Sequence, residues 1–169
     1  MTMFTKTVRA VEETMARRTV SIRPLQPSEL SSAFPLARLL VPALGLPTWQ
    51  RFAREMTSGG AQADRGILTA EGEGGYLCGL VIYRVIHDLR HGRVLTADHV
   101  IAFDMVDRNP VAAAVLAALE DLCTALGCDA LHTSLEAPQE GLKAVWENAG
   151  HHTEKTLLCK TAAETRDHR

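Results

Sequence analysis

His99-Val-Ile-Ala-Phe103, Asp107-Arg-Asn-Pro110, a helical run from Val111 to Leu126, and Asp129-Ala-Leu-His-Thr-Ser-Leu135 together decide the fold. The first segment is apolar and rich in strand formers, and the second breaks it. Val111, Val115, Ala118, Leu119, Leu122, Ala125 and Leu126 then recur at helical spacing until Gly127 stops the run. The last segment is extended again. Strand, helix and strand at this length form a crossover between two parallel strands. Pro110 suits the first helical position and Asn109 the cap before it. The free N–H groups there, with the positive end of the helix dipole, can hold a phosphate. Asn109 or Asp107 can equally cap the helix from within the chain.

On the N-terminal side, Thr5 to Arg18 reads as a short amphipathic helix through Val8, Val11 and Met15. Thr19 to Leu25 alternates as a strand. Ser28 is placed to cap a helix with Leu30, Phe34, Ala37, Leu40 and Val41 on its stripe. Pro42, Gly45 and Pro47 break it. Thr48 caps a second short helix carrying Trp49, Phe52, Ala53 and Met56, which ends at Ser58-Gly-Gly60. Gly66 to Ala70 is a strand, and Glu71 to Gly75 a turn. Tyr76 to Ile86 is too continuously apolar for a one-sided sheet, so it is expected to be central and covered on both faces. His87 to Gly92 is a polar turn, which makes Tyr76–Ile86 and Val94–Phe103 an antiparallel hairpin. On the C-terminal side, a helix starts at Pro138, buries Leu142, Val145, Trp146 and Ala149, and exits through Asn148 and Gly150. A last strand is expected from Thr153 to Thr161 through Leu157, Leu158 and Cys159. The fold class is α/β (an α+β mixed sheet): a mixed central sheet with helices on both faces. The organisation is a helical extension at 1–18, a single domain at 19–162 and a polar tail at 163–169.

Composition narrows the function classes. The 169 residues carry a net charge of -2 and are 46% hydrophobic. That is ordinary for one globular domain. Without a basic excess, nucleic acid is not an expected partner. No apolar run reaches spanning length and the N-terminus has no signal-peptide core, so no membrane partner is expected. Cys78, Cys123, Cys128 and Cys159 lack paired spacing and read as free thiols in a reducing cytoplasm. His87 and His91 are four apart but in a turn, and His151 and His152 are adjacent. No acid or cysteine cluster accompanies either pair, so no metal is expected.

The element order, together with Gly127-Cys-Asp129, Trp146-Glu-Asn-Ala-Gly150 and Leu157-Leu-Cys-Lys160, resembles the GNAT superfamily of acyl-CoA N-acyltransferases over roughly Val20 to Thr161. The resemblance implies a sheet that splays where two parallel strands separate, with the pantetheine arm of acetyl-CoA in the gap. It also implies direct acyl transfer to a small amine or amino-acid-like acceptor. The cofactor-binding residues it implies are Met105, Arg108, Asn109, Val111, Ala112 and Ala113, with the pyrophosphate on amides from Arg108 to Ala113. The loop departs from the family pattern. Asp107 stands in place of Arg or Gln, and Pro110 replaces the first Gly and removes an amide. Trp146 stands where many members carry a Tyr that protonates the leaving thiolate, and His151 where Phe is usual.

Direct transfer needs a base near the acceptor amine, and the family often takes it from the strand that ends at this loop. Asp98 and His99 are the catalytic candidates. A period of two sends them to opposite faces, and His99 has the chemistry better suited to neutral pH. Asp104 is a candidate amine anchor. His132 and Ser134 lie on the strand after the helix; Ser134 or Glu136 is a candidate to reach the cleft, and Tyr83 to act as an acid. Trp49 and Phe52 lie in the segment that roofs the acceptor pocket in the resembling family. A homodimer is left open. The alternative is an inactive GNAT-shaped ligand-binding or interaction module, favoured by Asp107, Pro110 and Trp146.

Overall fold

The apolar run expected to be central is β3 (Leu77–Asp88), third in a five-stranded sheet. The computed structural model describes residues 19–59, 63–103, 109–136 and 140–159. The readings made for 1–18, 163–169, Asp104, Met105, Asp107, Arg108 and Pro138 lie outside these residues. The other elements are β1 (Ser21–Pro24), α1 (Leu30–Leu40), α2 (Leu46–Thr57), β2 (Arg65–Glu71), β4 (Gly92–Ala102), α3 (Asn109–Ala125), β5 (Ala130–Thr133) and α4 (Glu140–Asn148). The strands lie in chain order β1-β2-β3-β4-β5. The first four are antiparallel, and β5 joins β4 in parallel after the α3 crossover.

β3 sends alternate residues into two cores. Leu80 and Ile82 pack with Leu30, Ala33, Trp49 and Ala53 under α1 and α2. Val81 and Tyr83 pack with Val111, Val115 and Leu119 of α3 and Trp146 of α4. This two-sided burial is why the strand shows no polar alternation. α3 ends as expected. Gly127 takes φ 63°, and the Cys128 N–H reaches back to the Cys123 carbonyl at 2.9 Å. Among the described residues no helix is long and apolar enough to cross a membrane.

Two helix starts differ from the sequence reading. Pro47 does not stand before α2 but inside its first turn, where its missing N–H costs nothing, and Gly45 rather than Thr48 takes the cap position. Ser28 lies within a 3₁₀ turn, Pro27–Glu29, and the Glu29 carboxylate takes the Gln26 N–H at 3.1 Å. Arg23 fixes this entry. It donates to both Glu29 oxygens at 2.6 Å and to Glu71 at 3.0 Å, which holds the Glu29 carboxyl below its usual range.

The expected last strand is absent: residues 151–159 have no regular structure. Leu157 and Leu158 are 86% and 89% exposed. The segment is held through the side chains of Glu154 and Lys155 instead of a backbone ladder. Three consecutive apolar residues had no alternation to place one face inward.

Close approach of strands requires a glycine at position 79. A Cβ there would lie 2.8 Å from the Ala70 Cβ and 3.0 Å from the Ile101 carbonyl oxygen. Both obstacles belong to paired strands. Gly79→Ala is expected to lower stability by about 1–3 kcal/mol, by strain in a packed core. Urea unfolding should show a lower midpoint with an unchanged slope.

Candidate active site

The site forms where β4 stops following the pattern that a regular strand would give. Ile82 of β3 pairs with His99, and the next residue, Tyr83, pairs with Ala97. Asp98 is therefore the extra residue of a β-bulge. The bulge resets the alternation. Leu95 and Ala97 face the α3 core before it, and Val100 and Ala102 face the same core after it. Asp98 and His99 are thus both left on the α1/α2 side, not on opposite faces as the period of two implied.

The two candidates have different surroundings. Asp98 is taken by Arg84, whose Nε donates to Oδ2 at 2.7 Å. His99 forms one wall of a pocket of about 200 Å³. α1 and its exit contribute Ala37, Leu40, Val41 and Leu44 to that pocket; α2 contributes Thr48, Trp49 and Phe52; β3 contributes Ile82. The His99 Nδ1 is buried and makes no hydrogen bond among the described residues, and Glu136 Oε1 stands 3.7 Å from it. Trp49 is fixed by an N–H bond of 2.6 Å to the Leu30 carbonyl. Its ring meets Phe52 at 6.4 Å between centroids.

The same bulge marks the end of parallel pairing. β4 and β5 are in register from Val94↔Ala130 to Ala97↔Thr133, and the Ser134 N–H then bonds the Ala97 carbonyl at 2.9 Å. Beyond that point β4 runs on to Ala102, while the chain after β5 carries Glu136. Parallel pairing stops there, at the point where a splay between the two strands would open. α3 begins at the same end of the sheet: a Cβ on Gly79, opposite Ala102, would lie 3.4 Å from Val111. Val111 and Ala112 bury their side chains there, while Ala113 is exposed. Because α3 starts at Asn109, the Ala113 N–H falls to the Asn109 carbonyl by the helical pattern. The Asn109 and Val111 amides are left free of that pattern, and Pro110 between them offers none. Of the amides assigned to a pyrophosphate from the sequence, that of Ala113 is therefore spent within α3.

Two of the remaining candidates are buried in the α3 core. Tyr83 is buried in the α3 core, where burial pushes its hydroxyl pKa up. Trp146 is buried too, and its indole N–H is spent on Thr133 Oγ1 at 3.0 Å. Ser134 is exposed.

His132 joins a group that the sequence did not foresee. Single donor atoms of His91, His132 and Glu154 lie within 4.8 Å of one another. His91 Nε2 meets Glu154 Oε1 at 2.7 Å, Arg90 donates to the same oxygen at 2.7 Å, and His132 Nε2 stands 3.4 Å from Oε2. Lys155 Nζ lies 3.3 Å from His132 Nδ1. An ammonium only donates, so Nδ1 presents its lone pair and Nε2 carries the proton toward Glu154. A metal at Nε2 would need the reverse tautomer. The group is an ion-pair tether that holds the C-terminal segment to the β3–β4 turn.

Its pH dependence has a definite sign. Hydrogen bonds from His91 and then Arg90 hold the Glu154 carboxyl down at about 2. Burial, followed by the Lys155 charge, holds His132 below its ordinary 6.5. Both groups resist protons that a detached segment would bind. The tether is therefore full above about 6.5 and weakens as His132 is forced to charge; the Glu154 contribution is lost between 4.5 and about 2. Proteolysis after residue 150 is expected to accelerate with acid. Glu154→Gln should remove the lower step and His132→Asn the upper one.

No protein-family model matches the chain, and no curated protein matches it. Solved structures do. Aminoglycoside N-acetyltransferase AAC(6')-Iy in complex with CoA superposes with a TM-score of 0.70 at 18% identity, over 87% of this chain and 97% of that one. The aminoglycoside 6'-N-acetyltransferase AAC(6')-Ih from Acinetobacter baumannii gives 0.69 at 17%, over 86% and 99%. Glucosamine-6-phosphate N-acetyltransferase from Arabidopsis thaliana gives 0.67 at 18%, over 85% and 98%. The fold of this chain is the GNAT N-acetyltransferase fold.

Proposed function

We propose that the chain is an acetyl-CoA-dependent N-acetyltransferase that transfers the acetyl group directly to a small amine. The observation that carries this is the coincidence, at one bulge in β4, of the end of pairing with β5 and the His99 wall of the α1/α2 pocket. One opening suits the thioester arm and the other the acceptor. The solved relatives support the reading through what they are named for: one holds CoA and another a bisubstrate analogue of CoA and acetylneamine.

Acetyl-CoA supplies the activated acyl group. Asn109 and Val111 offer backbone N–H groups to its pyrophosphate at the positive end of α3. Met105, Arg108 and Ala112 remain assigned to the same site by family resemblance. Glu136 beside Nδ1 favours the His99 tautomer that keeps Nε2 open. Nε2 first takes a proton from the acceptor ammonium; the freed amine attacks the thioester carbon, and as the C–S bond breaks the nitrogen gives its second proton to water and CoA leaves as the thiolate. With Trp146 in the core, the leaving thiolate takes its proton from water. Asp98, neutralised by Arg84, holds the guanidinium and leaves the proton transfer to His99. The four cysteines are free thiols, which supports a reducing cytoplasm as the setting of the reaction. Among the described residues no strand pairs the outer edge of β5, and Leu157 and Leu158 are exposed, which favours a homodimer.

Calorimetric titration with acetyl-CoA and with CoA tests the proposal. Saturable micromolar binding of both is expected, followed by thiol release on adding an amine. Absence of binding by either would leave the inactive ligand-binding module as the reading.

A further inference from the structure

We infer that the acceptor is a monoamine with an apolar body about the size of one ring and a short arm, not a polycationic or heavily hydroxylated compound. The inference rests on the transferase reading of the site and adds the substrate class to it. Leu40, Leu44, Trp49, Phe52 and Ile82 make the pocket walls. Among the described lining residues none is Asp, Glu, Lys or Arg, and His99 is the one titratable group.

Size limits the occupant. An apolar cavity of about 150 Å³ holds one benzene ring, so a pocket of about 200 Å³ has room for a ring or a hexyl-length chain. Charge limits it further. One ammonium is provided for at the His99 end of the pocket, where the imidazole takes its proton. A second ammonium would face Leu40, Leu44 or Phe52, and a charge against such walls loses its hydration without a partner. Hydroxyl groups in the same place would lose their hydrogen bonds to water. A sugar-like polyamine therefore pays at every substituent beyond the first, whereas an alkyl or aryl body gains by leaving water.

The test measures binding and transfer separately, on the whole chain saturated with CoA for binding and with acetyl-CoA for transfer. The probes are linear amines from propylamine to hexylamine, phenethylamine, 1,6-diaminohexane and kanamycin. Kd is expected to fall about fourfold per added methylene until the pocket fills. Phenethylamine should match the longer alkylamines, and the diamine should lose at least about tenfold against hexylamine. Phe52→Ser should flatten the series for the longest amines. Phe52 is 39% exposed, so its removal leaves the core in place. Leu44→Ser on the opposite wall gives a second, independent reading.

A steep series with thiol release upholds both readings. A steep series without release upholds the pocket's chemistry and overturns the transferase. A flat series, or tighter binding by kanamycin or the diamine, overturns the inference, and thiol release from those amines would leave the transferase standing. A steep series unchanged in both variants places the apolar body elsewhere and also overturns it.

Discussion

Replacing His99 by Gln is expected to lower kcat for amine acetylation by about 10²–10³-fold, within the range of a lost general base. KM for acetyl-CoA should stay near its wild-type value, since His99 lines the α1/α2 pocket and not the start of α3. Stability should change little, because the His99 side chain is 41% exposed and its buried Nδ1 makes no hydrogen bond among the described residues. A lost base also has a signature that lost packing does not. His99→Gln should lower kcat with KM for the amine nearly kept, whereas Phe52→Ser should raise KM for the longer amines with kcat nearly kept. Two neighbours sharpen the contrast. Glu136→Gln should cost about tenfold or less in kcat, as the loss of a group that orients the ring. Asp98→Asn should be nearly silent in kcat, because Arg84 already occupies the carboxylate. Activity of His99→Gln within about threefold of wild type would remove His99 from the reaction.

His99 is a candidate on sequence alone, while its geometry is not legible there, and the difference lies in where each piece of information resides. β3 carries its position in its own composition, because a strand buried on both faces needs apolar residues throughout. α3 carries its length in helical spacing between a proline and a glycine. Both elements form where composition and spacing put them. The bulge at Asp98 is different. Nothing local in Thr96-Ala-Asp-His-Val100 marks an extra residue, since the count is defined only against Ile82 and Tyr83 on the neighbouring strand. One unpaired residue was enough to bring Asp98 and His99 to the same face. The tether is non-local in the same sense: His91, His132 and Glu154 come from a turn, a strand and an irregular tail. Glu154 gave no sign of a partner, and the apolar Leu157 and Leu158 beside it suggested a strand that does not form. The apolar pocket was partly legible, because Trp49 and Phe52 share a face of α2. The contribution of Ile82 and His99 to its floor depends on the packing of α1 and α2 across the sheet.

Trp49→Ala is expected to have the largest effect on stability, about 3–5 kcal/mol. Trp49 is 1% exposed and joins α2 to the core of Leu30, Ala33, Ile67, Leu80 and Ile101. Removing the indole leaves a void on that face and deletes the bond from its N–H to the Leu30 carbonyl. Trp49→Phe separates the two terms. It keeps most of the ring volume and loses the hydrogen bond, and the carbonyl retains its place in the α1 ladder, so the cost should be about 1–2 kcal/mol. At roughly 2–4 °C per kcal/mol for a chain of this size, Trp49→Ala should melt about 6–20 °C below wild type. The loss should be confined to one side of the sheet. α3 and β5 pack on the opposite core, so at a temperature where Trp49→Ala is still folded it should bind CoA within about threefold of wild type while losing the chain-length dependence for amines. A melting shift below about 3 °C would show that α1 and α2 close over the void. Loss of CoA binding at full folding would show instead that the two faces of the sheet are coupled through β4, whose bulge is the one feature that both openings share.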